Sequence, residues 1–79
     1  MRKSLETREY KALARLLTDA RKRKGITQQN LADQLKKPQS FVAKYEVGER
    51  RLDVIEFIHI CRKLGHDPSK IVKLIVSDE

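Results

Sequence analysis

The side chains with the most obvious potential for catalysis or metal binding are His59, Cys61 and His66. They are too few to close a zinc site, their spacing does not suit a metal, and a single cysteine cannot form an internal disulfide. We interpret them as a core thiol and two exposed histidines. The sequence also has no glycine-rich phosphate loop, no paired catalytic carboxylates and no cofactor motif. We therefore predict a protein that is not an enzyme and that uses no metal or cofactor.

The positive charge of the chain is concentrated in one stretch. The net charge is +7, and residues 21–51 hold nine basic and three acidic side chains, whereas the rest of the chain holds nine basic and eight acidic ones. A basic block of this kind forms either a surface that meets phosphates or simply a solvated helix face. The elements that carry the block decide between these two interpretations.

The length and composition indicate one small domain. The chain has 79 residues, of which 39% are hydrophobic. This suits a single thin core, to which a partner subunit would add buried surface. The longest uninterrupted apolar run is three residues. We therefore expect no membrane-spanning segment, no signal peptide and a cytoplasmic location.

Apolar residues recur every three to four positions in five segments, and no segment alternates with the period of a strand. Ser4 or Thr7 stands where the first helix begins, and a glycine follows its last basic turn. Thr27 and Asp53 stand in the same way before the second and fourth helices. The sequence therefore predicts an all-α fold with five helices, at about residues 5–24, 28–35, 38–47, 54–64 and 69–76.

The last two predicted helices carry many apolar residues. The stripe of the fourth helix that we expect to be buried consists of Val54, Ile55, Ile58, Cys61 and Leu64. The fifth helix is apolar nearly all round, and only one of its faces can pack on the fourth. We assign the remainder to a twofold-symmetric dimer contact made by Val72, Ile75 and Val76. The alternative is a fifth helix that the core absorbs completely.

Two short helices joined by a tight turn, behind a long helix, outline a helix-turn-helix. The sequence G-I-T-Q-Q-N-L-A-D-Q-L at residues 25–35, followed by P-Q-S-F-V-A-K-Y-E-V-G-E-R at residues 38–50, resembles the Cro/CI (XRE) family of phage-repressor-like DNA-binding proteins. The resemblance extends over roughly residues 10–76. It implies a single five-helix lambda-repressor-like DNA-binding domain over residues 1–79, with the helix-turn-helix at about residues 27–47.

The resemblance implies that the third helix reads bases and that neighbouring residues hold phosphates. A glutamine amide can pair with N6 and N7 of adenine at once, and a lysine suits guanine or a phosphate. Phe41 either contacts a thymine methyl group or packs beneath the loop, and the polar residues have the alternative of forming an ordinary exposed helix face. The implied base-reading residues are Gln39, Ser40, Lys44 and Phe41, and the implied phosphate-binding residues are Gln28, Lys37, Arg50 and Arg51.

Two positions depart from the family pattern. Lys36 stands at the turn position that is usually glycine, where a left-handed backbone would cost about 1 kcal/mol. Pro38 replaces the usual Ser or Thr cap of the third helix. Arg21 and Glu46, by contrast, match positions that form a buried ion pair in many members of the family. We expect this pair to tie the third helix to the first.

The function that the resemblance implies is sequence-specific binding of double-stranded DNA by a transcription regulator. We expect a homodimeric repressor that places two third helices in successive major grooves of a palindromic operator, and that is nucleoid-associated when bound. The alternative is a protein-interaction module, such as the antitoxin of a toxin–antitoxin pair or a co-activator bridging protein, whose protein partner the sequence does not identify.

Overall fold

The computed structural model describes residues 7–77, which form five helices and contain no strand. The predicted all-α class and the order of the helices are confirmed within this range. Ser4, the other candidate cap of the first helix, lies outside the described residues. The helices are α1 (Arg8–Lys24), α2 (Gln28–Leu35), α3 (Gln39–Glu46), α4 (Val54–Leu64) and α5 (Pro68–Ser77).

Side-chain caps begin α1, α2 and α4 at the predicted residues. Thr7 Oγ1 and Thr27 Oγ1 each accept a hydrogen bond from the backbone N–H three residues later, at 3.1 and 3.0 Å. Asp53 and Glu56 form a reciprocal capping box at the start of α4, with distances of 2.7 and 3.0 Å. Each cap satisfies a backbone donor that the first helical turn leaves without an intrahelical partner.

The turn between α2 and α3 contains both departures from the family pattern. Lys36 has φ 59° and ψ 43°, the one positive φ of a non-glycine residue within residues 7–77. Its N–H donates to Asp33 O at 3.1 Å, and the N–H of Lys37 donates to Ala32 O at 2.9 Å, which closes α2. α3 then begins after Pro38 without a side-chain cap. The turn therefore keeps its left-handed residue, at a cost of about 1 kcal/mol for lysine.

The core lies between the helix-turn-helix pair and the two longer helices α1 and α4. α2 and α3 have only eight residues each, too few for a helix to be stable in isolation. Their stability must therefore come from packing. The largest fully buried side chains are Leu17 of α1, Leu31 of α2, Val42 and Tyr45 of α3, and Ile60 and Cys61 of α4.

The buried face of α4 differs from the predicted stripe. Val54 and Ile55 are 70% and 59% exposed, and Ile58 is half-buried. The prediction that Val54 and Ile55 are buried is therefore wrong. Ile55 lies on the side of the helix opposite the core, and Val54 lies on the first turn, at the edge of the packed face. The residues of α4 that pack in or against the core are Phe57, Ile60, Cys61 and Leu64.

Two buried tyrosines differ in whether their hydroxyl groups are bonded. Tyr10 donates to the backbone oxygen of Arg50 at 2.6 Å. The buried hydroxyl of Tyr45 has no hydrogen-bond partner among residues 7–77, and burial raises its pKa. An unpaired buried hydroxyl opposes folding, whereas a bonded one favours it.

Replacing Tyr45 with Phe removes the unpaired hydroxyl, so we expect the free energy of unfolding to stay the same or to rise by up to about 1 kcal/mol. Tyr10→Phe is the matched control, because it removes a bonded hydroxyl and should lose about 1 kcal/mol. Urea denaturation of both variants measures the difference. A Tyr45→Phe protein that is less stable than Tyr10→Phe would contradict this account of the two hydroxyls.

Candidate nucleic-acid interface

α3 has one buried face and one exposed face. Its buried residues are Phe41, Val42 and Tyr45. Gln39, Ser40 and Lys44 are exposed. Residues 40 and 44 are one helical turn apart and share a face, with residue 39 beside them. The predicted polar base-reading side chains therefore lie together on one surface of the second helix of the helix-turn-helix.

A buried ion pair joins the end of α1 to the end of α3. Arg21 Nε donates to Glu46 Oε2 at 2.7 Å, and Arg21 Nη2 donates to Glu46 Oε1 at 3.1 Å. Arg21 Nη1 donates to the backbone oxygen of Ile26 at 2.8 Å. The two side chains are 10% and 5% exposed, and the hydrogen bond to Glu46 raises the pKa of Arg21. The expected contact between these two residues is present.

Two glutamines extend this ion pair to the exposed face of α3. Gln28 Nε2 donates to Glu46 Oε1 at 2.8 Å, and Gln39 Nε2 donates to Gln28 Oε1 at 2.7 Å. Gln28 is half-buried, and one of its two amide hydrogens remains for another acceptor. The motif places both glutamines at helix starts, but a separation of 11 positions carries no sequence signal that they bond to each other.

Lysines line an open cavity beside the N-terminal end of α3. The cavity has a volume of about 270 Å³ and is lined by Lys37, Pro38, Ser40, Phe41, Lys44 and Arg50. Lys37 Nζ lies 5.3 Å from the centroid of the Phe41 ring, within the range of a cation–π interaction. Lys37 and Lys44 form no ion pair with any residue that the structure describes. Their charges are thus accessible to an anion such as a phosphate.

Arg50 forms an ion pair with Glu56, and its side chain is 41% exposed. Its Nη1 and Nη2 each donate to one carboxylate oxygen of Glu56 at 3.0 Å, and Nη1 also donates to Arg51 O at 2.7 Å. The pair raises the pKa of Arg50 and lowers that of Glu56. Glu56 thus holds Arg50 as a brace of the loop between α3 and α4, and the phosphate contact expected of Arg50 stays a prediction. Arg51 is exposed, with its guanidinium 5.8 Å from the centroid of the Tyr10 ring.

Phe41 packs inside the fold. It is 7% exposed, and its ring meets the ring of Tyr45 edge-on with the centroids 5.6 Å apart. The Arg50 guanidinium lies over it at 4.7 Å from its centroid. Of the two interpretations of Phe41, the structure therefore supports packing, and a thymine methyl group has little access to the ring.

The apolar surface near α5 includes part of α4. Val72 and Val76 are 45% and 61% exposed, whereas Ile75 is half-buried against the core. Val54 lines a shallow cavity of about 160 Å³ together with Val72 and Ile75. We call Val54, Val72, Ile75 and Val76 the α4–α5 apolar surface. Val54 was not predicted to belong to this surface, because its helical spacing places it in the stripe expected to be buried.

Within residues 7–77, His59, Cys61 and His66 do not form a common metal-binding cluster. Cys61 is buried, and burial raises the pKa of its thiol to about 11. His59 is exposed and His66 is half-buried. Over the same range no three His, Cys, Asp or Glu side chains are grouped so that they could hold a metal ion. Nor does any helix there have both the length and the apolar character needed to cross a membrane.

The packed pair α2 and α3, with polar side chains exposed on α3, defines a helix-turn-helix protein of the DNA-binding class. A family model described as helix-turn-helix matches residues 11–71. A solved structure of an XRE-family like protein from Pseudomonas syringae pv. tomato str. DC3000 is 51% identical, over 87% of this chain and 84% of that one, with a TM-score of 0.83. The chain belongs to the XRE family of helix-turn-helix proteins, as its sequence predicts.

Two further solved structures share the fold at lower identity. The clp gene regulator ClgR from Corynebacterium glutamicum is 20% identical, over 92% of this chain and 78% of that one, with a TM-score of 0.81. The restriction-modification controller protein C.Esp1396I is 19% identical over 92% of each chain, with a TM-score of 0.81. None of the curated proteins matches the chain significantly. Membership of the family makes the chain a DNA-binding regulator of transcription.

Replacing Glu46 with Ala strands the Arg21 guanidinium in a buried position, so we expect the free energy of unfolding to fall by about 3–5 kcal/mol. A solvent-exposed pair would contribute less than about 1 kcal/mol. Glu49→Ala removes the same charge from a nearby exposed residue and should change stability by no more than about 0.5 kcal/mol. Thermal and urea denaturation measure both variants, and an unchanged melting temperature of Glu46→Ala would show that the ion pair contributes little.

Proposed function

We propose that this protein is a dimeric repressor that reads a palindromic operator with α3. The observation that carries the proposal is the exposed face of α3, where Gln39, Ser40 and Lys44 lie together beside the basic cavity. An α-helix fits the major groove of B-DNA, and the side chains at its N-terminal end reach the base edges. All three side chains belong to the first two turns of α3.

Each of the three exposed side chains has a matching partner on the base edges. Gln39 Oε1 accepts from adenine N6, and the amide hydrogen of Gln39 that Gln28 does not use donates to N7 of the same base. Lys44 donates to O6 and N7 of guanine or to a phosphate, and the hydroxyl of Ser40 can donate or accept. These contacts give the protein its preference for one operator sequence.

Phosphate contacts set the position of α3 in the groove. Lys37 lies in the basic cavity beside the start of α3, and Gln28 has one amide hydrogen left at the start of α2. Arg51 is exposed on the loop that follows α3. The net charge of +7 adds a sequence-independent attraction to DNA through the release of counterions.

Dimerisation through the α4–α5 apolar surface brings two copies of α3 into one DNA-binding unit. Exposed apolar side chains on α5 and on the first turn of α4 are covered when a second copy packs on the same surface. A twofold axis there presents two α3 helices to major grooves about 34 Å apart, which requires a palindromic operator. A bound dimer represses by occupying the DNA that another protein needs, in the cytoplasm.

A second candidate function is binding of a different protein, as in the antitoxin of a toxin–antitoxin pair. The observation that favours it is the exposure of Ile55 and Leu74, 59% and 54%, two apolar side chains outside the α4–α5 apolar surface. Two observations discriminate the candidates: the oligomeric state of the pure protein in sedimentation, and whether a second polypeptide co-purifies with it. A symmetric dimer supports the repressor. A monomer whose preparation contains a second polypeptide supports the alternative.

Replacing Gln39 with Ala should weaken binding to the best operator by about 1–3 kcal/mol per half-site and remove the preference at one base pair. Binding to unrelated DNA should barely change, because that binding depends on charge. Lys37→Ala should instead weaken binding to every sequence and reduce the slope of affinity against salt by about one unit. Titrations of both variants on operator and unrelated duplexes, from low to near-physiological salt, separate the two effects. If both variants bind as the parent does throughout, α3 is only a solvated face.

Val72→Glu and Val76→Glu place a charge on the α4–α5 apolar surface, so each should convert the dimer to a monomer in sedimentation equilibrium. Ile75 is avoided because it also packs against the core. Val47→Glu is the matched control, since Val47 is 69% exposed at the end of α3 and lies outside that surface. Variants that stay dimeric at both valines would place the dimer contact elsewhere.

A further inference from the structure

The Glu46 carboxylate begins a chain of hydrogen bonds that ends on the exposed face of α3. Its two oxygens accept from Arg21 Nε and Nη2 and from Gln28 Nε2, at 2.7, 3.1 and 2.8 Å. A carboxylate in an ion pair can only accept hydrogen bonds. Gln28 must therefore turn its NH₂ group, and not its oxygen, toward Glu46.

The orientation of Gln28 in turn decides the orientation of Gln39. With its NH₂ group on Glu46, Gln28 presents Oε1 to Gln39, whose Nε2 donates to it at 2.7 Å. A Gln39 amide turned by 180° would bring two oxygens together, neither of which can donate. The oxygen of Gln39 is consequently held on the side away from Gln28. Gln39 is exposed, so without this bond water would satisfy either orientation of its amide.

We propose that Glu46 sets which base Gln39 reads, although Glu46 lies behind the exposed face of α3. In this orientation the Gln39 amide has its N–H near Gln28 and its oxygen farther away. One placement of adenine matches this arrangement, with N7 accepting from the N–H and the N6 amino group donating to the oxygen. The reversed amide would oppose N–H to the N6 amino group and oxygen to N7. Glu46 is thus a positioning residue for base specificity. This inference rests on the proposed function, because it takes Gln39 to be a base-reading residue.

The variant that tests the proposal is Glu46→Gln, which keeps the shape of the side chain but removes the obligation of Gln28 to donate. The probes are two duplexes, the operator that the parent protein selects and the same operator with guanine in place of adenine at the position where Gln39→Ala removes the preference. We divide the dissociation constant of the guanine duplex by that of the adenine duplex. In Glu46→Gln this ratio should fall at least about fivefold, which is the lower end of what one bidentate pair contributes. In a Gln39→Ala background, Glu46→Gln should change this ratio no further.

Arg21→Lys is the matched control for the ion pair. Lysine retains a cation beside Glu46 but cannot make the two hydrogen bonds of the guanidinium, so the free energy of unfolding should fall. The Glu46 carboxylate still only accepts hydrogen bonds, so Gln28 must still donate to it. The adenine preference should therefore stay at the parent value. If circular dichroism shows that Glu46→Gln is unfolded, Gln28→Met interrupts the same chain and leaves the ion pair in place, and it should lower the ratio as well.

A measurement without DNA keeps the inference separate from the proposed function. The side-chain amide signals of Gln39 in ¹⁵N–¹H NMR spectra should shift in Glu46→Gln and stay in place in Arg21→Lys. Unchanged Gln39 signals in Glu46→Gln overturn the inference whether or not the protein binds a specific operator. Unchanged adenine preference in a folded Glu46→Gln also overturns it, while leaving base reading by Gln39 intact. If Gln39→Ala keeps every base preference of the parent protein, the proposed base reading by Gln39 is overturned. The amide signals of Gln39 alone would then decide whether Glu46 orients this side chain.

Discussion

The buried ion pair between Arg21 and Glu46 is the contact on which the placement of α3 depends. α3 has eight residues and no side-chain cap, so it does not hold its own position. Packing of Val42 and Tyr45 buries one side of it, and Glu46 fastens its last turn to α1. The same guanidinium reaches Ile26 O, so one arginine joins α1, the connection to α2 and the end of α3. Removal of either partner would leave the other charge alone in the interior, which is strongly unfavourable.

Two arginines of the basic block form ion pairs within the protein, whereas two of its lysines stay exposed beside α3. The two ion pairs within residues 7–77 both use an arginine, Arg21 with Glu46 and Arg50 with Glu56, and in each the planar guanidinium meets both carboxylate oxygens. Lys37 and Lys44 remain exposed beside α3. A flexible ammonium group on a long stem suits a phosphate contact that forms only on binding. Two arginines of the basic block are therefore held in ion pairs, whereas Lys37 and Lys44 stay unpaired among the described residues and Arg51 is exposed.

The parts of the fold that depend on local chemistry could be predicted from the sequence. Thr27 and Asp53 begin helices because their side chains bond to backbone N–H groups three residues away. The motif usually has a left-handed glycine at this turn, and Lys36 has that conformation although the sequence alone left open whether a lysine would keep it. The errors arose where tertiary packing decides. Val54 and Ile55 match a helical stripe equally well whether the core or solvent faces them.

The candidate site shows the same division between local and distant chemistry. The motif indicated that Gln39, Ser40 and Lys44 are exposed, but it left Phe41 open between base contact and packing. The family pattern indicated the pair of Arg21 and Glu46. The Arg50–Glu56 pair was missed because Glu56 already had a local role in its capping box. The bonds that link Gln28 to Glu46 and to Gln39 span 18 and 11 positions and have no periodic signature. They follow only from the way α1, α2 and α3 pack together.

Selection of bound sequences from a pool of random double-stranded DNA at near-physiological salt tests whether the exposed face of α3 reads base pairs. We expect enrichment of inverted half-sites whose centres lie about one helical turn apart, with adenine at one fixed position in each half-site. A pool that shows no enrichment after repeated selection, although the protein binds it in a salt-dependent way, would show that α3 does not read bases.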